Sequence, residues 1–544
     1  MTDGYLSEGM ESDMEMLTAN ETKALTTSRP GVRMAALLSG AGFAALMAAN
    51  PAAAQVLVPG ELVVSTSTYQ DVGQVATLQA GTSLLPGATA GTSVTAVSGG
   101  NYLNVWNNDG VDGSFGVTSP ITLQTVTTAG AVTNSLQIDP SQVVTSFSSK
   151  SELALNISPD GKSLSFMGYA GAGVGALDVS NSDTPGISDS TNPVTSFFGK
   201  SHAYARTITT VAADGTVAYT PTNAYGGNNG RAAILGTNGV YYTVGNANNG
   251  TSKTANAITT STGLEAFTPL NSSSALVTPA APNPVDPGYS SVAGDKVGKD
   301  SNFRGLTQYN GNLYFSKGSG SNGIDTVYTV SNPSLPTGSA GTISVLPGFP
   351  TSPAKTSPDY TPFGLFFANA TTLYVADEGS GDAKDQGLGS HAGLEKWSLI
   401  GGIWKLDYTL QDKLIGTSYT LCPDNSETKG CANAYDTVTT TGLRNITGAV
   451  NADGTVSIWG VTSDSSASGD NGADPNEVVE ITDLLSATTL PTSEAFNVFE
   501  GPKYEQVYRG VAFDSVAVPE PSTLALLGIG LFGAAAGRRR KTVV

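Results

Sequence analysis

Four arginines recur at comparable points of strand-like runs. Arg206, Arg304, Arg444 and Arg509 each stand two residues before an aliphatic residue, namely Ile208, Leu306, Ile446 and Val511. A guanidinium presents a planar fork of donors that matches carboxylate or phosphate oxygens two at a time. If the runs are innermost strands of a ring, these arginines can line its channel mouth and hold an anionic ligand. The architectural reading is that each pairs with a carboxylate of a neighbouring unit. Alternation along a strand would put each arginine and its aliphatic partner on one face, so a bulge is expected, helped by Gly305 and Gly510.

Catalytic material is sparse. The chain has two histidines, and His391 follows an acidic loop in which Asp385 is the nearest carboxylate that could work with it as a base. No Gly-x-Ser-x-Gly elbow precedes a helix-like pattern. Three acidic, glycine-rich loops offer carboxylates to a hard divalent cation: Asp109 with Asp112, Asp377 with Asp382, and Asp470 with Asp474. Calcium takes six to eight oxygens from such loops, although none of the three follows a complete calcium-loop pattern.

The formal net charge is −19, with 45 acids against 26 bases. The balance argues against nucleic acid, whose affinity depends on lysine and arginine neutralising phosphates. Only 13% of residues are charged, so much of the surface must be Ser, Thr, Asn and Gly, which suits contact with neutral glycans. The two cysteines, Cys422 and Cys431, lie in one short segment. In an exported chain such a pair reads as one local disulfide.

The elements that must position these groups are short. Between Gln55 and Val516, β-branched or aromatic runs alternate with turn clusters and no long 3.6-residue period appears, the pattern of sandwiches, barrels and propellers. A unit recurs: apolar strand, glycine turn, apolar strand. It is seen at 153–167, 206–219, 303–315, 363–375 and 443–459, with further candidates at 102–106 and 232–244. Asp-Gly and Asn-Gly supply the positive φ that tight hairpins need. The reading is an all-β fold, a β-propeller of about seven blades within a range of six to eight; two β-sandwich domains are the alternative. Residues 508–513 repeat only the first half of the unit, as ring closure would require, pairing with a strand near Glu61–Ser65.

Both termini carry signals. Arg29 and Arg33 precede an apolar run to Ala49 and then Asn50-Pro51-Ala52-Ala53-Ala54, which reads as a secretory signal peptide cleaved after Ala54. At the other end Pro519-Glu520-Pro521 leads into an apolar stretch from Thr523 to Ala536 and then Arg538, Arg539, Arg540 and Lys541. The apolar stretch is short for a membrane span of roughly 20 residues, and the cations would hold the C-terminus on the cytoplasmic side. Box, helix and basic tail together resemble the PEP-CTERM sorting signal of exopolysaccharide-producing Gram-negative bacteria.

That resemblance implies an exosortase as partner, membrane attachment through the helix before processing, and a cell-surface or extracellular destination. The expected organisation is a leader at 1–54, a propeller-like body at 55–517 and a sorting signal at 518–544. The expected role is a structural or polysaccharide-interacting matrix protein, with a secreted propeller hydrolase or lyase acting on a glycan or lactone as the alternative.

Overall fold

A computed structural model describes residues 55–515 apart from several internal stretches, the longest being 247–262, 270–301, 380–390 and 426–436. The expected signal peptide and C-terminal apolar helix, and the Pro519-Glu520-Pro521 box, fall outside the described residues. Within them the chain is almost wholly β, arranged as a six-bladed propeller.

Each blade is an antiparallel sheet numbered here in chain order. Blade 1 runs from Asn156–Ile157 through Ser163–Ala170 and Arg206–Ala212 to Val217–Thr222, and Val143–Ser146 completes its inner edge. Blade 2 has Gly230–Leu235, Tyr241–Gly245 and Leu264–Phe267. Blade 3 has Phe303–Tyr309, Asn312–Lys317, Thr326–Ser331 and Thr342–Val345. Blade 4 has Pro362–Asn369, Thr372–Asp377, Gly393–Ile400 and Ile403–Leu410. Blade 5 has Val438–Val450, Thr455–Ser465, Val478–Leu484 and Asn497–Glu500.

Blade 6 joins the two ends of the body. Its inner strand is Gln506–Phe513, and the next is Glu61–Thr68, followed by Ile121–Thr127 and Val132–Gln137. The half-unit at 508–513 therefore closes the ring by pairing with the strand the sequence pointed to, with Leu62 opposite Phe513 and Val64 opposite Val511. Closure pairs the strand at the end of the body with the one at its beginning, so neither is left as an open inner edge.

The number of blades is six, not about seven. The units at 153–167 and 206–219 are inner and outer halves of one blade, because Ser163–Ala170 pairs with Arg206–Ala212 along its length. The candidate at 102–106 belongs to a small hairpin with Val97–Gly99, outside the blades. It lies in a long insertion between the second and third strands of blade 6.

Six apolar clusters, one at each blade junction, close the ring. Val63, Ile121, Leu164 and Phe166 pack blade 6 on blade 1, and Met167, Ile208, Ala233 and Tyr241 pack blade 1 on blade 2. Phe303, Phe315, Tyr242 and Val244 join blades 2 and 3; Val327, Leu373, Val375 and Trp397 join 3 and 4. Tyr374, Leu394, Val456 and Ile481 join 4 and 5; Leu62, Val126, Trp459 and Val511 join 5 and 6. Alternation along each strand makes both faces of a blade apolar at these depths. Each fully buried large side chain then contributes roughly 1.5–3 kcal/mol.

The hairpin turns use the residues expected of them. Gly161, Gly215, Gly311 and Gly454 have φ of +71°, +82°, +74° and +86°, the left-handed region that a side chain with a Cβ resists.

Candidate functional site

The axis of the ring is built by one register position shared among six inner strands. A Cβ added to Gly305 would meet the Phe363 carbonyl at 1.8 Å, one on Gly364 the Arg444 carbonyl at 2.5 Å, and one on Gly510 the Leu153 carbonyl at 2.2 Å. Ala154 bridges Ala232 in parallel. These contacts align Ala154, Ala232, Gly305, Gly364, Asn445 and Gly510. The residues just before them are Leu153, Arg231, Arg304, Phe363, Arg444 and Arg509. Glycine stands at the three positions where a Cβ would run into the backbone of the next strand, whereas Asn445 keeps its side chain and accepts from Val511 N (2.7 Å).

Three of the four arginines singled out by sequence, Arg304, Arg444 and Arg509, are therefore equivalent. The fourth, Arg206, lies on the third strand of blade 1, and the equivalent residue of blade 2 is Arg231. Sequence missed it because Arg231 is followed by Ala232-Ala233 and so lacks the aliphatic residue two places on. The hairpin from Arg206, with its Asp-Gly turn, imitated an inner pair.

Each arginine has an architectural engagement. Arg304 Nη1 lies 3.1 Å from Glu378 Oε1, and Arg444 Nε lies 3.3 Å from Glu378 Oε2. Glu378 follows the second strand of blade 4, so one carboxylate ties blades 3, 4 and 5. The two guanidiniums overcome the cost of burying it and hold its pKa below the usual value. Arg509 donates to the carbonyls of Phe147 and Gly472. Arg206 donates to the carbonyls of Ser180 (2.8 Å), Ser182 (3.1 Å), Tyr204 (2.8 Å) and Asn228 (2.6 Å) and lies over the Tyr169 ring at 5.0 Å. Burial pushes its pKa down, partly offset by the nearby Tyr169 and Glu152.

His391 is held elsewhere. Its Nδ1 pairs with Glu395 Oε1, and Glu395 Oε2 accepts from Trp397 Nε1 (2.8 Å) and the Tyr360 hydroxyl (3.2 Å). The Tyr360 ring lies 4.9 Å from the imidazole. Asp385 lies outside the described residues, and the carboxylate touching His391 is Glu395. Asp377 is pushed up to about 7, first by burial and then by the charge of Glu395. It accepts from Thr361 N (2.7 Å), Thr361 Oγ1 (2.6 Å) and Gly379 N (2.8 Å).

Among the calcium candidates, Asp377 thus spends its oxygens on Thr361 and on Gly379 of its own turn, and Asp474 accepts from Ser466 Oγ at 2.8 Å. Asp109, Asp112, Asp382 and Asp470 lie outside the described residues. Among the described residues no three His, Cys, Asp or Glu side chains form a metal-holding group. Cys422 is buried, and Cys431 falls outside the described residues.

Further along the same inner strands the axis opens into a cavity of about 280 Å³. All six blades contribute, through Asn156, Ile234, Gln308, Phe366, Thr447 and Phe513 among others. None of the described residues lining it is charged, and neither His391 nor any arginine reaches it. Tyr309, at its wall, stacks on Phe367 with ring centres 4.7 Å apart and planes 8° from parallel. The Phe366 ring lies over Gly448, where an added Cβ would meet it at 2.6 Å. Sequence reasoning did not find this cavity. Its lining is ordinary strand residues with no motif, made contiguous only by closure.

Residues 517–541 match the PEP-CTERM protein-sorting motif. The motif implies that the chain is exported and processed by an exosortase, with a cell-surface or extracellular destination in Gram-negative bacteria. By sequence, no curated protein matches the chain. Among solved structures it is similar to a glucose dehydrogenase, at 11% identity over 63% of this chain and 89% of that one, with a TM-score of 0.31. It is also similar to the hemagglutinin-neuraminidase of parainfluenza virus 5, at 11% identity over 81% and 97% of the two chains, with a TM-score of 0.29. Likenesses of that size carry no information about activity.

Proposed function

We propose that the chain is an exosortase-processed surface or matrix protein whose propeller binds neutral extracellular polysaccharide at the uncharged axial cavity. The observation that carries this reading is the lining: six strands converge on one opening with aromatic and amide or hydroxyl groups and no charge among the described residues. The apolar face of a sugar ring stacks on an aromatic such as Tyr309, while its hydroxyls exchange hydrogen bonds with groups such as Gln308 and Asn156. At about 280 Å³ the cavity is at the small end of ligand sites, which suits one sugar unit or a chain end. The body is expected to span 55–517, between a leader at 1–54 and the membrane-attached signal at 518–544, with a Cys422–Cys431 disulfide.

A glycan hydrolase or lyase is the lesser reading. It relied on His391 meeting an arginine pair in one pocket, whereas His391 is engaged by Glu395 and the arginines serve blade junctions. The test is affinity electrophoresis of the full chain in mild detergent through the host's neutral exopolysaccharide. Retardation is expected, and Tyr309→Ala should weaken it at least tenfold. Equal mobility with and without polysaccharide would refute the reading.

A further inference from the structure

We propose that Lys396 and Asp483 are joined by an isopeptide bond that the folded chain forms by itself, with Glu494 as the residue that carries the proton. The site lies at the junction of blades 4 and 5, and none of the three residues lines the axial cavity. It is therefore independent of the glycan reading.

Strand pairing builds the site. On blade 4, Tyr374 stands opposite Lys396 and Lys396 opposite Tyr408, so the three side chains form one row across the sheet, on the face turned to blade 5. The row meets Asp483 near the end of the third strand of blade 5. Lys396 Nζ lies 2.7 Å from Asp483 Oδ2, with the two side chains only 1% and 0% exposed. Nζ also donates to the Tyr408 hydroxyl (3.0 Å) and the Leu484 carbonyl (2.7 Å). The Tyr408 hydroxyl donates to Asp483 Oδ1 at 2.6 Å, and that of Tyr374 donates to Oδ2. Tyr374, Tyr408, Leu394 and Ile481 belong to the apolar cluster that fills this junction.

Glu494, in the loop that follows this strand of blade 5, supplies a second carboxyl. Its Oε1 accepts from Leu484 N at 3.1 Å, and the carboxyl is in hydrogen-bond contact with Asp483. Two carboxyls in such contact need a proton between them. Burial, and then the hydrogen bond and charge of Asp483, push Glu494 up to about 7, where a carboxyl exchanges protons readily near neutral pH.

A buried ion pair is costly to desolvate. One proton crossing the 2.7 Å from Lys396 to Asp483 turns it into a neutral amine and a carboxylic acid, the forms that condense. The Nζ lone pair adds to the Asp483 carboxyl carbon, and Tyr408 donates to the oxyanion that develops on Oδ1. Glu494 gives its proton to the departing Oδ2 and takes one back from the nitrogen. The carbon–Oδ2 bond breaks, one water leaves and an amide remains. Nothing is oxidised or reduced, no co-reactant is consumed, and Glu494 ends as it began.

Intact-mass spectrometry tests this on the full chain, held folded in mild detergent and then reduced and denatured. The expected mass is one water below that of its own sequence, and proteolysis should release a branched peptide joining the segments that carry Lys396 and Asp483. Lys396→Arg keeps the cation but cannot form the amide, and should have its full sequence mass. Should that variant fail to fold, the wild-type peptide map decides alone. Glu494→Gln keeps the Lys396–Asp483 pair and removes the proton carrier, so the branched peptide, followed by pulse labelling, should form at least about a hundredfold more slowly. A wild-type chain at full sequence mass, a lost water located elsewhere in the chain, or bond formation undiminished in Glu494→Gln would overturn the proposal.

Discussion

Arg304 and Arg444, on inner strands two blades apart, close on opposite oxygens of the single carboxylate of Glu378, at 3.1 and 3.3 Å. Glu378 belongs to the blade between them, so the triad acts as a clasp across blades 3, 4 and 5. Removing the shared anion leaves two buried cations without it, and breaking a buried pair typically costs about 3–5 kcal/mol. Glu378→Gln should therefore lower the unfolding free energy by about 3–5 kcal/mol, read as a lower urea midpoint at unchanged m, without changing the strand content seen by circular dichroism.

Ring closure depends on the last strand. Gln506–Phe513 pairs with Glu61–Thr68, and the sorting motif begins at residue 517, only a few residues beyond. Processing near Pro519 should thus leave the closing strand in place. A chain ended after residue 517 should keep the thermal transition of the full chain, whereas one ended after residue 505 should lose cooperative unfolding and aggregate through its open edge. Differential scanning calorimetry of the two truncations separates the outcomes.

The close approach at the axis makes its glycines unforgiving. A Cβ at Gly305 would lie 1.8 Å from a carbonyl oxygen of blade 4, and backbone cannot move aside as a flexible side chain can. Gly305→Ala should cost at least the roughly 1–3 kcal/mol typical of overpacking. Gly401→Ala, at a turn with open space around it but φ of +63°, should cost less, about 1 kcal/mol for the strained dihedral. Comparing the Tm of the two variants checks the ordering.

Buried carboxyls set a pH dependence. Asp464 and Asp377 are each pushed up to about 7, in both cases mainly by burial. The folded state therefore holds protons that the unfolded chain releases near pH 4. Their contribution to stability is fully present below that point and is lost as pH rises through about 7. Denaturant unfolding should show stability declining from pH 5 to pH 8, with a shallower decline in Asp464→Asn. A slope unchanged by the substitution would show that Asp464 titrates normally.

A bond between Cys422 and Cys431 would close a short loop, worth about 3 kcal/mol by loop entropy. Reduction should lower the Tm of the wild-type chain and leave that of Cys422→Ser unaffected, and free-thiol titration of the unfolded protein should find none before reduction.

The sequence by itself determined the strand class, the hairpin turns, the closing half-unit and the destination. These are local or terminal properties: the period of two, Asp-Gly and Asn-Gly dipeptides, and a box, helix and basic tail in fixed order. It also marked Arg304, Arg444 and Arg509, through an aliphatic residue two positions on at the start of a strand-like run, although the same pattern marked Arg206 as well. Tertiary structure alone decided that the ring has six blades, since only strand pairing shows that Ser163–Ala170 and Arg206–Ala212 share one sheet. It likewise moved Arg206 off the inner strand, put Arg231 in its place, and created the uncharged cavity from residues up to 360 positions apart. Such features arise from which strands become neighbours around the axis, and that is settled by the packing of whole blades, which no short stretch of sequence encodes.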